Sequence, residues 1–249
     1  ITVFLVQLIL FYSIGYVLDI HKMVGSIPSR INNEAVGLFR AAGLFQEPNA
    51  YCTSMFMLLT LRSKLYKFLD KIAICGLLTM LISQSLWGFG AVPLYFLIFS
   101  NGKQKLLVFG LTLILGIGLY FSLDISYLVS ISPTARRVFF PEYDPSWVAR
   151  YGGTQPIVYA DYILGKGVTS FEFQKIGANA NVFFLYSFGI INSIFFILWF
   201  WFYSGKHNIL KNSLIIIFLF TSTPMFAYMV FWMWLALFMR YSMDDDGLL

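Results

Sequence analysis

Residues 72–102 read IAICGLLTMLISQSLWGFGAVPLYFLIFSNG, 31 positions without a charged side chain. One helix needs about 20 residues to cross a hydrocarbon core about 30 Å thick. The stretch is therefore one long tilted span, or two short helices hinged near Ser83–Gly90. The flanking charges favour the second. Arg62, Lys64, Lys67 and Lys71 precede it, Lys103 and Lys105 follow it, and Lys206 with Lys211 make a third short basic loop. Lys and Arg in short loops collect on the cytoplasmic side. All three loops can lie there only if 72–102 goes out and returns, so the pattern predicts a hairpin. Non-helical backbone at that depth must be buried in protein or face a wet cavity.

Other charge-free windows extend the pattern: Ile1–Leu18, Leu106–Leu123, Ile176–Gly205 and Asn212–Met239. Pro48–Leu61 is short for a span, unless Arg62 and Lys64 snorkel so that Leu65 and Phe68 lengthen it. Asn212–Met239 is as ambiguous as 72–102, with Thr221-Ser222-Thr223-Pro224 at its middle. The expected fold is all-α, a polytopic helical membrane protein forming a single transmembrane domain over residues 1–249. The chain starts inside an apolar run without an initiator Met or a recognisable signal peptide, which predicts further spans upstream.

Composition agrees. Of 249 residues, 59% are apolar and 12% charged, with a mean hydropathy of +0.75. So few charges cannot wet the surface of a soluble particle. Soluble enzymes, disordered tails and nucleic-acid-binding domains are excluded. The net charge of +5 is read as topology rather than as affinity for nucleic acid. Cys52 and Cys75 lack Cys or His neighbours, so neither a disulfide framework nor a metal site is expected.

The same topology leaves two long segments outside, residues 19–47 and about 124–178. Loops beyond about 12–15 residues are usually functional or disordered. The second carries Trp147 and regularly spaced Gly and Pro, so it reads as folded. No P-loop, nucleophile elbow or zinc-protease motif occurs, and Gly165-Lys166-Gly167 reads as a turn. The remaining chemistry is arginine and carboxylate at the outer face. Arg40 precedes Glu47-Pro48 at a helix start, where Pro suits the first turn and Glu meets the positive end of the dipole. Arg136 and Arg137 follow Ser132-Pro133-Thr134, and Arg150 lies mid-loop. Each of these has a plainer reading: a snorkelling residue for Arg40, a helix-end charge for Glu47, an interfacial anchor for Arg136 and Arg137, a loop ion pair for Arg150. Together, planar bidentate forks on the outer face of an apolar protein suit the phosphates of an anionic lipid.

Arg40-x-x-Gly43-Leu44-Phe45-x-Glu47-Pro48 before a membrane helix resembles the signature of bacterial O-antigen and exopolysaccharide polymerases of the Wzy type. Residues 78–88, ending Ser83-Gln84-Ser85-Leu86-Trp87-Gly88, resemble that family's next block. Arg150-Tyr151-Gly152-Gly153 before Gly165-Lys166-Gly167 is similar to its periplasmic loop. Asn179 through Gly189-Ile190-Ile191-Asn192 is similar to the helix leaving that loop.

The resemblance implies a GT-C-like fold with a large periplasmic loop containing short helices, in the bacterial inner membrane. It implies transfer of a glycan from undecaprenyl pyrophosphate to a hydroxyl of another lipid-linked repeat unit, without a metal or other cofactor. Undecaprenyl-pyrophosphate-linked oligosaccharides and membrane lipids would be partners, as would a chain-length regulator protein. Arg40 and Arg150 would bind pyrophosphate, and Arg136 or Arg137 would support them. The acceptor proton would go to Glu47 first as general base, with Asp161, Glu172 or the leaving phosphate as the alternatives. The related O-antigen ligases, which pass the glycan to lipid A core, carry a His where this chain has Ala178. A lipid-linked oligosaccharide transporter is the reading from another class; it would call for inverted repeats and charges inside spans, and neither is visible.

Overall fold

The computed structural model describes residues 1–26, 32–33, 38–66, 69–100, 102–103, 105, 110, 163–165, 180–204, 209–221 and 229–244. These are helical apart from turns and one antiparallel ladder of two residues per strand. The all-α expectation holds at that level. The chain divides into two compact units, Ile1–Phe140 and Pro141–Leu249.

In the first unit, α1 (Thr2–Ile14) stops at Gly15, whose φ of 70° lets its N–H reach back to the carbonyl of Phe11. A left-handed glycine just past the last turn is a common helix terminator. The 18-residue window thus yields a helix of only 13 residues. A single turn, α2 (Ile20–Met23), starts at Asp19, which accepts from the Lys22 N–H. Strands β1 (Asn32–Asn33) and β2 (Leu38–Phe39) follow.

Three longer helices then pack on one another: α3 (Pro48–Tyr66), α4 (Lys71–Ile82) and α5 (Leu86–Phe99). At 19 residues, α3 runs past Arg62 and takes in Leu65; Phe68, which the length argument also needed, lies outside the described residues. The means differ from snorkelling at Lys64, which is buried. Arg62 turns instead to Asp70, with its guanidinium 4.5 Å above the Tyr66 ring. Asp70 also caps α4 by accepting from the Ala73 N–H at 2.8 Å. Its carboxyl is held at about 2, first by the Arg62 hydrogen bond and then by that of Ala73.

The 72–102 window is indeed two helices, broken at Ser83–Ser85. The break is tighter than expected, because Leu86–Gly90 already belongs to α5. Gly88 serves close approach rather than bending. A Cβ there would come within 2.8 Å of both Cys52 Sγ and the Met80 carbonyl oxygen. Gly76 of α4 lies close to α3 less strictly: a Cβ there would meet the Leu59 side-chain tip at 3.0 Å.

In the second unit, α6 (Ala180–Tyr203), α7 (Ile209–Phe220) and α8 (Met229–Asp244) account for the last two windows. The 212–239 window therefore holds parts of two helices; its midpoint, 222–228, lies outside the described residues. Phe184–Tyr203, 20 residues, is long and apolar enough to cross a membrane. Rings stitch the helices together: Phe184 meets Phe220 at 4.9 Å, Phe196 meets Trp232 at 6.1 Å, and Phe220 meets Phe231 at 6.2 Å.

Inside α6, Gly189 adopts φ 74°, ψ 167°, and the helix kinks. Its backbone lies against Ile163–Gly165. A Cβ on Gly189 would sit 2.5 Å from the Leu164 carbonyl carbon, and one on Gly165 would sit 2.5 Å from that of Phe188. Gly165 has φ 80°, consistent with a turn. Two backbones meet here with nothing between them, at the two positions where only glycine fits.

Candidate functional site

The first unit's candidate site begins at Arg40, directly after β2. Phe39 is buried and stacks on Phe11 of α1 at 4.4 Å, which anchors the strand. Two of the next three residues, Ala42 and Gly43, are held by a side chain that charge counting overlooks. Gln7 of α1 is 1% exposed. Its Oε1 accepts from the Ala42 N–H at 3.2 Å and the Gly43 N–H at 2.8 Å. Its Nε2 donates to the Gly43 carbonyl at 3.1 Å and the Leu18 carbonyl at 3.0 Å. One amide thus satisfies the backbone of a loop that would otherwise bury unpaired polar groups. A lone Gln in an apolar run was the available signal.

Gly43 turns the chain with φ 61°, and its α-carbon faces the Tyr51 ring. Phe4 stacks on the same ring at 4.7 Å. His21 meets the Leu44 carbonyl at 2.9 Å, which ties the turn to α2. Glu47 then stands immediately before Pro48, and its carbonyl accepts from the Tyr51 N–H to start α3. Arg40 and Glu47 therefore bracket one short turn whose geometry is fixed by α1, α2 and the first turn of α3.

Arg40 also reaches the α4–α5 break. Its Nη2 donates to the Gln84 carbonyl at 3.3 Å. The break itself is held against α3. Cys52 Sγ and Ser83 Oγ are 3.0 Å apart, and Ser83 Oγ donates to the Met80 carbonyl at 2.7 Å. Tyr51 donates to Thr79 Oγ1 at 2.6 Å. Ser83 and Ser85 are both buried. At the opposite end of the same three helices lie the Ser63–Tyr95 hydrogen bond and the Arg62–Asp70 pair.

A guanidinium carries five N–H donors in a planar fork, and a fork held by a backbone carbonyl has a set orientation. The arrangement therefore presents an oriented cation and a carboxylate from one turn. Among the described residues, no three His, Cys, Asp or Glu side chains gather as a metal site. Arg136, Arg137 and Arg150 lie outside the described residues, as do Asp161, Glu172 and Ala178. Residues 124–178, the expected folded loop, are described only at 163–165. No protein-family model, no curated protein and no solved structure matches the chain.

Proposed function

We propose that this chain is a multi-pass inner-membrane glycosyltransferase of the Wzy type, GT-C-like in fold. In this reading it moves a glycan from undecaprenyl pyrophosphate to a hydroxyl of a second lipid-linked repeat unit at the periplasmic face. The hydrogen bond from Arg40 to the Gln84 carbonyl carries the reading. Basic-loop counting puts the 19–47 segment and the 72–102 hinge on the same outer face, both by way of the inward placement of the Arg62–Lys71 loop. That these two stretches touch supports the topology and the use of Arg40 there.

A membrane setting has further support. Large apolar side chains stand exposed along every long helix, among them Ile9, Leu58, Leu78, Leu97, Phe202 and Met233. An exposed apolar surface this wide is rare on soluble monomers. Depth matters too. Cys52 pairs with the hinge one turn into α3, so the hinge lies about 6 Å below the helix start at 1.5 Å per residue. In this reading α3 starts at the rim and Arg40 works just beneath it, where a lowered dielectric strengthens its pull on an anion.

In the proposed reaction the acceptor hydroxyl oxygen attacks the anomeric carbon and the bond to the diphosphate oxygen breaks. The leaving undecaprenyl pyrophosphate takes the electron pair, and its growing charge is met by the Arg40 fork. The resemblance gives the same role to Arg150, with Arg136 or Arg137 in support; these residues lie outside the described ones. The hydroxyl proton passes to the Glu47 carboxylate.

The test is an O-antigen ladder from a polymerase-deficient host. Arg40→Ala and Arg150→Ala should each abolish length extension while protein level and single-unit capping persist. Lys at either position should rescue poorly, because a point charge cannot form the fork. Glu47→Gln should slow extension by about 10²-fold or more if the carboxylate takes the proton. A wild-type ladder from Arg40→Ala would remove this residue from the mechanism.

A further inference from the structure

Gln84 is, among the described residues, the one non-glycine with positive φ, at 53°. An L residue holds that conformation only where its surroundings impose it, and such positions cluster at functional sites. The surroundings here are specific. The Gln84 N–H is tied to the Leu81 carbonyl at 3.1 Å. Before it, Ser83 is fixed by Cys52 and Met80. After it, α5 is drawn so close to α3 and α4 that Gly88 has no room for a Cβ. A chain leaving α4 this abruptly turns the Gln84 carbonyl away from the helix axis, and that carbonyl accepts from Arg40.

We propose that Gln84 is a positioning residue: its left-handed backbone aims the carbonyl that sets the plane of the Arg40 guanidinium for a diphosphate. The proposal rests on the reading of Arg40 as a pyrophosphate ligand. It adds that the α4–α5 break belongs to the anion site and acts through its main chain. The Gln84 side chain is then dispensable for this role, whereas its φ is not. Any residue that takes φ near +50° serves, and one that resists it releases Arg40.

Titrating inorganic pyrophosphate into the purified full chain in detergent tests this apart from polymerisation. Gln84→Ile, β-branched and ill suited to positive φ, should weaken binding about tenfold, the scale of one charge-assisted hydrogen bond. Gln84→Gly, which accepts that backbone and keeps the carbonyl, should restore binding to within about twofold of wild type. Arg40→Lys should weaken binding, and adding Gln84→Ile to it should weaken it no further, because both changes disable one contact. Should the Ile variant fail to fold, Gln84→Thr, also β-branched but smaller and polar, reads the same coupling. Undiminished binding by the Ile or Thr variant overturns the proposal, as do multiplicative losses in the double variant or no binding by the wild-type chain. Coupling of residues 40 and 84 in a wild-type chain that makes no ladder would sink the polymerase reading and keep the positioning role. A ladder without coupling would do the reverse.

Discussion

Gln7 shows how a single uncharged amide can organise a site. Four hydrogen bonds join it to Leu18, Ala42 and Gly43, all within an otherwise apolar packing of Phe4, Phe39 and Tyr51. Replacing it with Leu keeps much of the volume but strands two buried N–H groups of the Arg40 loop. The expected loss is roughly 2–6 kcal/mol, since each of the two abandoned buried groups costs about 1–3 kcal/mol. Thermal unfolding in detergent measures it, with Ile9→Ala, on the exposed face of α1, as the control expected to stay within about 0.5 kcal/mol. Equal, small effects would mean that the amide does not hold the loop. Arg40 and Glu47 were legible from sequence because charge is rare here and therefore conspicuous. Gln7 was not, because a window sorted by charge treats an amide as though it were leucine.

Among elements, the α4–α5 hairpin was legible for a physical reason. Three basic loops constrain the path between them, whatever the details of the helices. Its exact turn was not, because Gly88 and Gly90 look like hinge residues and Gly88 is instead a close-packing one. The α6 kink was hidden for a related reason: nothing local to Gly189 says that Gly165, 24 positions earlier, needs its space. That pairing predicts mutual intolerance. Gly165→Ala and Gly189→Ala should each destabilise the chain by more than the roughly 1–2 kcal/mol of a left-handed L residue alone, because a Cβ also strikes backbone that cannot rotate away. The double variant should cost less than the sum of the two, since the first Cβ already pries the contact apart. Unfolding midpoints of the three variants decide it. Strict additivity would indicate two unrelated strains.

For the whole molecule, the two compact units pose different questions. The first holds the described part of the candidate site, and the second holds the kinked helix and the aromatic packing of α6–α8. What remained beyond reach of sequence is mostly the 124–178 segment. Its charges balance, so neither topology nor local pairing can be read from them. The proposed membrane path of the first unit, by contrast, makes a sharp claim. Single cysteines at Lys22, Lys71 and Lys103, all exposed, report three loops. With Cys52 and Cys75 changed to Ser, a membrane-impermeant maleimide should label position 22 in cells with a permeabilised outer membrane. Positions 71 and 103 should label only after the inner membrane is opened. Agreement between 71 and 103 is the decisive part, because a window that crossed once would leave them on opposite sides. If 22 labels together with 71, the Arg40–Gln84 contact loses its meaning as a meeting of two outer segments. If all three label before the inner membrane is breached, the exposed apolar faces of α1 and α3–α5 need a partner other than lipid.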